Sequence, residues 1–293
     1  MGDTNTQPTY LRQRFLLSFI NQLKGSVTST DLQKLVFLNS MCEGMDFYTF
    51  VPYKYGAYSF QLSADIDTLY KNGYLSIDST KNSNRIKSVE NNIINTSYKI
   101  AQERGDTLIR KSYCEHPYYA IKSEILDRIL GDDELIHINN IKNQFAEKEK
   151  VIFTIGYEGK SIESFINDLI RNNIRALCDV RKTPISRKFG FSKSRLKHIS
   201  NTAGIEYFHI PELGIQSGER KSLSTMEDYQ RLFKDYKKSL PTRILFIEHI
   251  YSLLQSHKRI ALMCYELDPK MCHRHIIKDY LVNSHTIRSI DLL

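Results

Sequence analysis

The sequence lacks the long apolar segments that membrane and secreted proteins carry. No apolar run approaches the roughly 20 residues that cross a bilayer. The N-terminus, MGDTNTQPTYLRQRF, has no apolar centre of the kind found in signal peptides. These absences predict a cytoplasmic protein that does not enter a membrane. With 293 residues, 41% of them hydrophobic, the chain can form one large core or, as typical domain sizes favour, two ordinary ones.

Several paired motifs are also missing. The five cysteines are scattered and form no C-x-x-C pair, so neither a disulfide framework nor a zinc ribbon is indicated and the thiols are expected to be reduced. The chain has no G-x-x-x-x-G-K-[ST] motif, and no G-x-G-x-x-G follows the first predicted strand of its second half. The usual nucleotide-cofactor folds are therefore disfavoured.

What the sequence does have is a basic second half. Residues 1–145 contain 16 basic and 16 acidic residues, so the whole net charge of +8 comes from residues 146–293. Within 171–197 there are nine basic residues and a single acid. Such a density is typical of a surface that binds a polyanion, although a solvated basic face would have the same composition.

The first half has the pattern of a small, mostly helical domain. Apolar residues recur at helical spacing over 11–23 and again after a Thr30/Asp31 capping signal, and Ser59 or Ser63 could cap a third helix. Two extended pieces around the polar tip STKNSN then follow. Three helices and a β-ribbon predict a winged helix-turn-helix over 1–145, a module that binds DNA or, alternatively, a protein partner.

The second half alternates short β-rich runs with helical segments. After a polar linker over 140–150, strands are predicted over 151–155, 174–180, 205–210 and 259–265, with a last strand near the C-terminus. This alternation predicts an α/β domain over 146–293, with a mainly parallel sheet and helices on both faces.

Polar residues follow the predicted strands, where ligands of open α/β sheets bind. Because parallel strands place their carboxyl ends at one edge, we expect these residues to converge there. They are Tyr157, Glu158, Asp179, Arg181, Ser186, Arg187, His209, Cys264, Glu266, Cys272, His273 and Arg274.

The motifs TIGYEG, DVRKTPISRKFGF, YFHIPELG and ALMCYE followed by CHR closely resemble the domain-of-unknown-function 488 family over about 150–285. The resemblance implies an α/β enzyme associated with polyanions and suspected of acting on nucleic acids. Many relatives have a small hydroxyl residue at the position of Glu158, so the resemblance favours Asp179 and Glu266 over Glu158 as catalytic residues.

The residue types predict a cationic site with embedded carboxylates. Arg181, Arg187 and Arg274, with a helix N-terminus, could hold phosphate oxygens. Asp179 and Glu266 would stay ionised among them, and His209 or His273 could supply a proton or be structural.

A metal is not expected at this site. Cys272 and His273 are predicted to lie in the first turn of a helix, after Asp268 as N-cap and Pro269 at N1, pointing about 100° apart. A closed zinc site is then hard to assemble, whereas a helix N-terminus favours a Cys272 thiolate. The alternative is magnesium held by Asp179 and Glu266.

Three functions fit these expectations. The first is a metal-independent DNA glycosylase that excises modified bases from double-stranded DNA, including foreign phage DNA, with carboxylates beside an oxocarbenium-like sugar. The second is a magnesium-dependent nuclease. The third is a DNA-binding regulator without catalysis whose α/β domain senses a ligand. The oligomeric state stays open.

Overall fold

A computed structural model describes residues 7–79, 84–89, 97–220 and 225–293. The chain divides into two compact units, Met1–Lys142 and Asn143–Leu293. Each helix within these described ranges is too short or too polar to span a bilayer.

The first unit is mostly helical and contains a small antiparallel sheet. The elements in chain order are α1 (Leu11–Gln22), β1 (Val27–Thr28), α2 (Ser29–Glu43), β2 (Val51–Tyr53), β3 (Gly56–Tyr58), α3 (Phe60–Lys71), β4 (Leu75–Ser79), β5 (Asn84–Ser88), α4 (Gly105–Glu115), α5 (Leu126–Ile129) and α6 (Asp132–Gln144). Strand β1 pairs with β5 and β5 with β4, while β2 and β3 form a separate hairpin.

Three helices followed by the β4–β5 ribbon agree with the predicted winged-helix pattern, but the β2–β3 hairpin stands between α2 and α3. The winged-helix assignment stays a prediction. The polar tip predicted between the extended pieces lies partly outside the described residues. The sequence pattern over 117–131 predicts one further helix. That prediction is wrong, because a 3-10 turn at Pro117–Ala120 and the single turn of α5 stand there instead. The predicted linker over 140–150 overlaps the end of α6.

Side-chain caps begin two of these helices. The hydroxyl of Thr28 accepts a hydrogen bond from the Asp31 amide at 3.0 Å, so α2 begins earlier than the predicted Thr30/Asp31 signal. The hydroxyl of Ser59 accepts from the Leu62 amide at 3.2 Å and begins α3. Of the two predicted caps, Ser59 is therefore the one used.

The second unit is the predicted α/β domain. The elements are β6 (Val151–Gly156), α7 (Ile162–Arg171), β7 (Ala176–Asp179), α8 (Lys193–Thr202), β8 (Glu206–His209), α9 (Met226–Ser239), α10 (Ile244–His257), β9 (Arg259–Cys264), α11 (Arg274–His285) and β10 (Arg288–Leu292). The strands form a five-stranded parallel sheet of order β10-β6-β9-β7-β8, which is flanked by helices.

The buried strands explain why the sequence reads as continuous apolar runs. Every residue of β6, β7 and β9 is buried, as expected for central strands of a parallel sheet that is covered on both faces. The α/β fold class predicted from the alternation is confirmed.

The start of α11 differs from the prediction. Asp268 does accept a hydrogen bond from the Lys270 amide at 2.9 Å, but it caps only the 3-10 turn Pro269–Met271. Cys272 is extended, with φ −140° and ψ 138°, and α11 begins at Arg274. Cys272 and His273 therefore do not occupy a helical turn together.

Candidate functional site

A pocket of about 360 Å³ opens where the parallel strands end. Its lining combines cationic, aromatic, apolar and thiol side chains, and no carboxylate of the described residues is part of it. Six of the twelve predicted site residues line the pocket, namely Tyr157, Arg181, Ser186, Arg187, Cys264 and His273. The other lining residues are Lys182, Thr183, Ile185, Ile215 and Tyr265.

Asp179 lies at the end of β7 and is fully buried beside the pocket. Arg181 donates to both of its carboxylate oxygens, from Nε to Oδ1 at 2.8 Å and from Nη2 to Oδ2 at 2.6 Å. The Arg181 amide also donates to Oδ1 at 3.1 Å, and the Tyr207 hydroxyl donates to Oδ2 at 2.6 Å. The enclosed carboxylate has no surface that a substrate could touch. Asp179 can therefore act only by holding Arg181 and Tyr207 in place, which makes it a positioning residue.

Arg181 connects this buried acid to the pocket wall. Its Nη1 donates to the Tyr157 hydroxyl and to the Phe191 carbonyl, each at 3.0 Å. The Tyr157 ring is stacked on Phe191 with centroids 4.2 Å apart. Burial opposes the charge on Arg181, but the bonds to Asp179 raise its pKa above the ordinary value. The guanidinium is therefore a fixed positive charge in the wall.

The loop after β9 is packed against the end of β6. A Cβ added to Gly156 would lie 1.8 Å from the Glu266 carbonyl oxygen, so only glycine permits this approach. The Leu267 amide donates to Glu158 Oε2 at 3.0 Å. Glu158 is exposed and Glu266 is half-buried, so both predicted acids stand at this edge of the sheet but outside the pocket lining.

Arg274 is buried within the protein and turns toward this same loop. Its Nη1 donates to the Glu266 carbonyl at 2.6 Å and its Nη2 to the Leu267 carbonyl at 2.8 Å. The side chain is fully buried and is not part of the pocket lining. Its geometry supports the loop, and the predicted contact with phosphate stays a prediction.

The mouth of the pocket is basic. Arg187 is exposed and Lys182 is half-buried, and both line the cavity with Ser186. The Ser186 hydroxyl accepts a hydrogen bond from the Lys188 amide at 3.2 Å. Arg181 is already bonded within the protein. Among the described residues, Lys182 and Arg187 make no side-chain hydrogen bond or ion pair, so these two pocket cations can bind a ligand.

His209 lies at the end of β8, behind the segment that carries these cations. Its Nε2 is 3.0 Å from the Arg181 carbonyl oxygen. A ring nitrogen that faces a carbonyl oxygen must carry the proton, so His209 donates to the backbone. This contact supports the structural reading of His209 that the sequence left open.

Three buried side chains, Cys264, Cys272 and His273, meet at the floor of the pocket. Their sulfur and nitrogen atoms all lie within 4.8 Å of one another. The Cys272 sulfur is 3.7 Å from His273 Nδ1, and His273 Nε2 is 3.1 Å from the Val180 carbonyl oxygen. The expectation that these residues diverge on a helix is wrong, because Cys272 precedes α11 in extended conformation.

The surroundings of Cys272 differ from those of another buried cysteine, Cys178. Burial raises the pKa of the Cys178 thiol to about 12. Burial also opposes ionisation of Cys272, but the hydrogen bond from Cys264 and the neighbouring His273 and Arg274 lower its pKa well below the ordinary value. The predicted preference for a thiolate is therefore supported, with side chains rather than a helical turn as its cause.

Sequence reasoning missed two features of the site. Tyr207, two residues before the end of β8, points to the same side of the sheet as His209, and this alternation could have identified it. Gly214 allows the chain to pass Lys182, because an added Cβ would lie 2.2 Å from the Lys182 amide nitrogen. No local signal in the sequence pairs these two segments.

Residues 161–281 match the model of a family described as Domain of unknown function DUF488. The predicted resemblance of the second half is thereby confirmed over this range. The match contains β7, β8, β9 and the cysteine and histidine cluster, and it begins after the TIGYEG segment. No curated protein matches the chain, and neither does any solved structure.

Proposed function

We propose that this protein acts on DNA and that its second unit hydrolyses the N-glycosidic bond of a modified base. The observation that carries the proposal is the pocket of about 360 Å³, with tyrosine walls and a basic mouth, at the carboxyl edge of the parallel sheet. Base excision requires this combination, since the target base must leave the stack and enter a cavity while flanking phosphates stay outside.

The aromatic walls suit a base that has been turned out of the duplex. Tyr157 and Tyr265 both line the cavity, with ring centroids 5.2 Å apart in an edge-to-face arrangement. Tyr157 is held by Phe191 and Arg181, so its ring is fixed before a ligand arrives. A rigid aromatic wall favours stacking because little side-chain freedom is lost on binding.

The basic mouth suits the phosphates that flank such a base. Lys182 and Arg187 stand at the cavity, and the whole net charge of +8 belongs to the half that contains them. Cations placed there would bind DNA in a salt-dependent manner, with Arg187 able to hold a phosphate through two donors.

The proposed reaction needs a carboxylate near the sugar, where positive charge develops. Asp179 is enclosed by Arg181 and Tyr207, so we assign it to positioning. Glu158 and Glu266 follow β6 and β9 at the edge where the pocket opens, and we propose one of them as the carboxylate that faces the sugar.

The alternatives receive less support from the geometry. A magnesium ion shared by Asp179 and Glu266 would have to replace the two hydrogen bonds that Arg181 makes to Asp179, so nothing favours the nuclease. The regulator without catalysis would need the same pocket but no carboxylate. Substitution of the acids distinguishes it from the enzyme.

We further propose that the first unit holds duplex DNA through its helix pair and ribbon. Its neutral charge means that it would contribute positioning more than affinity. The proposed setting is the cytoplasm, where incoming phage DNA with modified cytosines would be the substrate. Both statements depend on the proposed reaction.

The test uses the full-length protein with labelled duplexes that contain cytosine, hydroxymethylcytosine or a glucosylated cytosine, without added magnesium. We expect breaks that appear only after hot alkali, with a free base found by mass spectrometry. Glu158→Gln or Glu266→Gln should reduce this product at least about 100-fold. Glu206→Gln is the control, because Glu206 begins β8 at the opposite sheet edge.

Direct breaks that require magnesium would replace the proposal with the nuclease. Unchanged DNA on every substrate, with binding that survives both glutamine substitutions, would leave the regulator as the better description. Equal product from the Glu206→Gln control and both test variants would mean that neither acid serves the reaction.

A further inference from the structure

The cluster of Cys264, Cys272 and His273 has no role in the proposed reaction. All three side chains are at least 97% buried. Their donor atoms lie within 4.8 Å of one another, and they come from two segments that are separate in the chain, the end of β9 and the residues that precede α11. We propose that they form a zinc site at the floor of the pocket.

The spacing of the donor atoms fits a tetrahedral zinc ion. Zinc lies about 2.3 Å from a thiolate sulfur and about 2.0–2.1 Å from an imidazole nitrogen, so at a tetrahedral angle these two ligands are about 3.6 Å apart. Cys272 Sγ and His273 Nδ1 are 3.7 Å apart. The two atoms therefore already have the separation that one ion between them requires.

The histidine is held in the tautomer that a metal needs. Its Nε2 lies 3.1 Å from the Val180 carbonyl oxygen and must donate there. In the neutral ring, the lone pair is then on Nδ1, the atom nearest Cys272. A histidine ligand whose second nitrogen donates to a backbone carbonyl is the usual outer-shell arrangement at zinc sites.

The charge balance favours a divalent ion with soft ligands. Two thiolates neutralise one Zn²⁺, so the site adds no net charge beside the buried guanidinium groups of Arg181 and Arg274. Magnesium and calcium require oxygen ligands, and the cluster offers none. Sulfur and imidazole together select zinc among the common divalent ions.

The fourth ligand would come from the pocket. Cys264 and His273 line the cavity, whereas Cys272 does not. Three protein ligands with a fourth position open to a cavity are typical of a zinc ion that holds a water molecule or a substrate atom. The site thus goes beyond the proposed base excision, and it can be measured without DNA.

The experiment measures metal in the full-length protein, expressed with zinc and purified without a polyhistidine tag. We expect about one zinc per chain by mass spectrometry of the metal. After replacement by Co²⁺, we expect a thiolate-to-cobalt charge-transfer band. Cys272→Ala should lose both signals. Cys178→Ala is the matched control, a buried cysteine on β7 outside the cluster, and it should keep them.

A second measurement uses no variant, so it still tests the proposal if Cys272→Ala does not fold. In the unmodified protein, removal of zinc by a chelator should speed alkylation of the buried Cys264 and Cys272 at least about tenfold. The rates at Cys42 and Cys114, which are exposed, should stay the same and serve as the internal standard. Protein that holds no zinc and gives no cobalt band overturns the proposal. So does equal zinc in the Cys272→Ala and Cys178→Ala variants, or alkylation that zinc does not change.

Discussion

Both units bury an aspartate that is held by an arginine and a tyrosine, and the two sets differ in what the arginine reaches next. In the first unit, Arg12 Nε donates to Asp65 Oδ2 at 2.7 Å and the Tyr48 hydroxyl donates to the same oxygen at 3.0 Å. Asp65 is on α3 and Arg12 on α1, so this set ties two helices together.

In the second unit, the corresponding set lies at a sheet edge. Arg181 pairs with Asp179 from only two residues away, and its remaining nitrogen bonds to Tyr157 in the pocket wall. The Arg181 side chain is 7% exposed, against 29% for Arg12. The same chemistry therefore supports packing in one place and a rigid pocket wall in the other, and burial decides how costly its loss is.

The largest effect that we expect comes from removing each carboxylate charge. Asp179→Asn leaves Arg181 buried without a counter-charge and should lower the free energy of unfolding by about 3–5 kcal/mol. Asp65→Asn should cost about 1–3 kcal/mol, because Arg12 can be solvated in part. Hydrogen exchange of the full-length chain over a urea series, read on peptides of β7 and of α3, measures both changes.

Equal losses of unfolding free energy in Asp179→Asn and Asp65→Asn would contradict the comparison, because burial of the arginine would then not decide how much its unpaired charge destabilises the fold. Glu212→Gln provides the reference for an exposed acid in the second unit and should change the free energy of unfolding by less than about 0.5 kcal/mol.

The α/β domain could be predicted from the sequence because its strands are short apolar runs between helical segments. The ends of these runs located Tyr157, Arg181, Cys264 and His273 at one pocket. What strand ends do not determine is where each side chain points. Arg274, for example, is predicted for the same edge, and its buried side chain donates to two loop carbonyls.

The cysteine and histidine cluster could not be predicted for a related reason. The sequence CHRHIIKDYL is compatible with a helix from its first residue, and only the 3-10 turn before it places Cys272 in extended conformation. The loop that leads into this turn packs against Gly156, which is distant in the chain. Local propensity contains no information about it.

A smaller effect is expected from removing the tyrosine hydroxyls. Burial and the adjacent carboxylate raise the pKa of both Tyr48 and Tyr207, so both stay protonated as donors. Tyr207→Phe and Tyr48→Phe should each cost about 1–3 kcal/mol, since each loses a hydrogen bond to a charged group. Urea-dependent hydrogen exchange measures this cost.

The two tyrosine variants should differ in DNA processing. Tyr207→Phe loosens Asp179 and thus Arg181, so we expect alkali-sensitive product to fall more than in Tyr48→Phe, whose hydroxyl contacts only the helix pair. If Tyr48→Phe lost more product than Tyr207→Phe, the hydrogen bonds among Asp179, Arg181 and Tyr207 would not position the pocket wall.

The smallest effect concerns a buried cation whose hydrogen bond goes to a carbonyl in place of a carboxylate. Lys34 in α2 donates to the Ala57 carbonyl at 2.7 Å. Burial lowers its pKa from 10.5 to about 7, against the opposing charge of Asp31. Arg181 has a bonded carboxylate and keeps its charge over the same pH range, so Lys34 shows what burial does without that partner.

The sign of the pH dependence follows from these two pKa values. Between about pH 7 and 10.5, the unfolded chain retains a proton that folded Lys34 releases, so the free energy of unfolding rises with pH. Below about pH 7, Lys34 is protonated in both the folded and the unfolded chain, so the free energy of unfolding no longer changes with pH through this residue. We expect a rise of about 1 kcal/mol per pH unit from pH 7 to 9.

This rise should vanish in Lys34→Met and persist in Lys71→Met, because Lys71 is exposed at the end of α3. Exchange of α2 peptides in urea, compared between variants at each pH, gives the slope. A slope that survives in Lys34→Met would mean that Lys34 keeps its charge in the folded unit, and that a carbonyl acceptor then suffices where Arg181 uses a carboxylate.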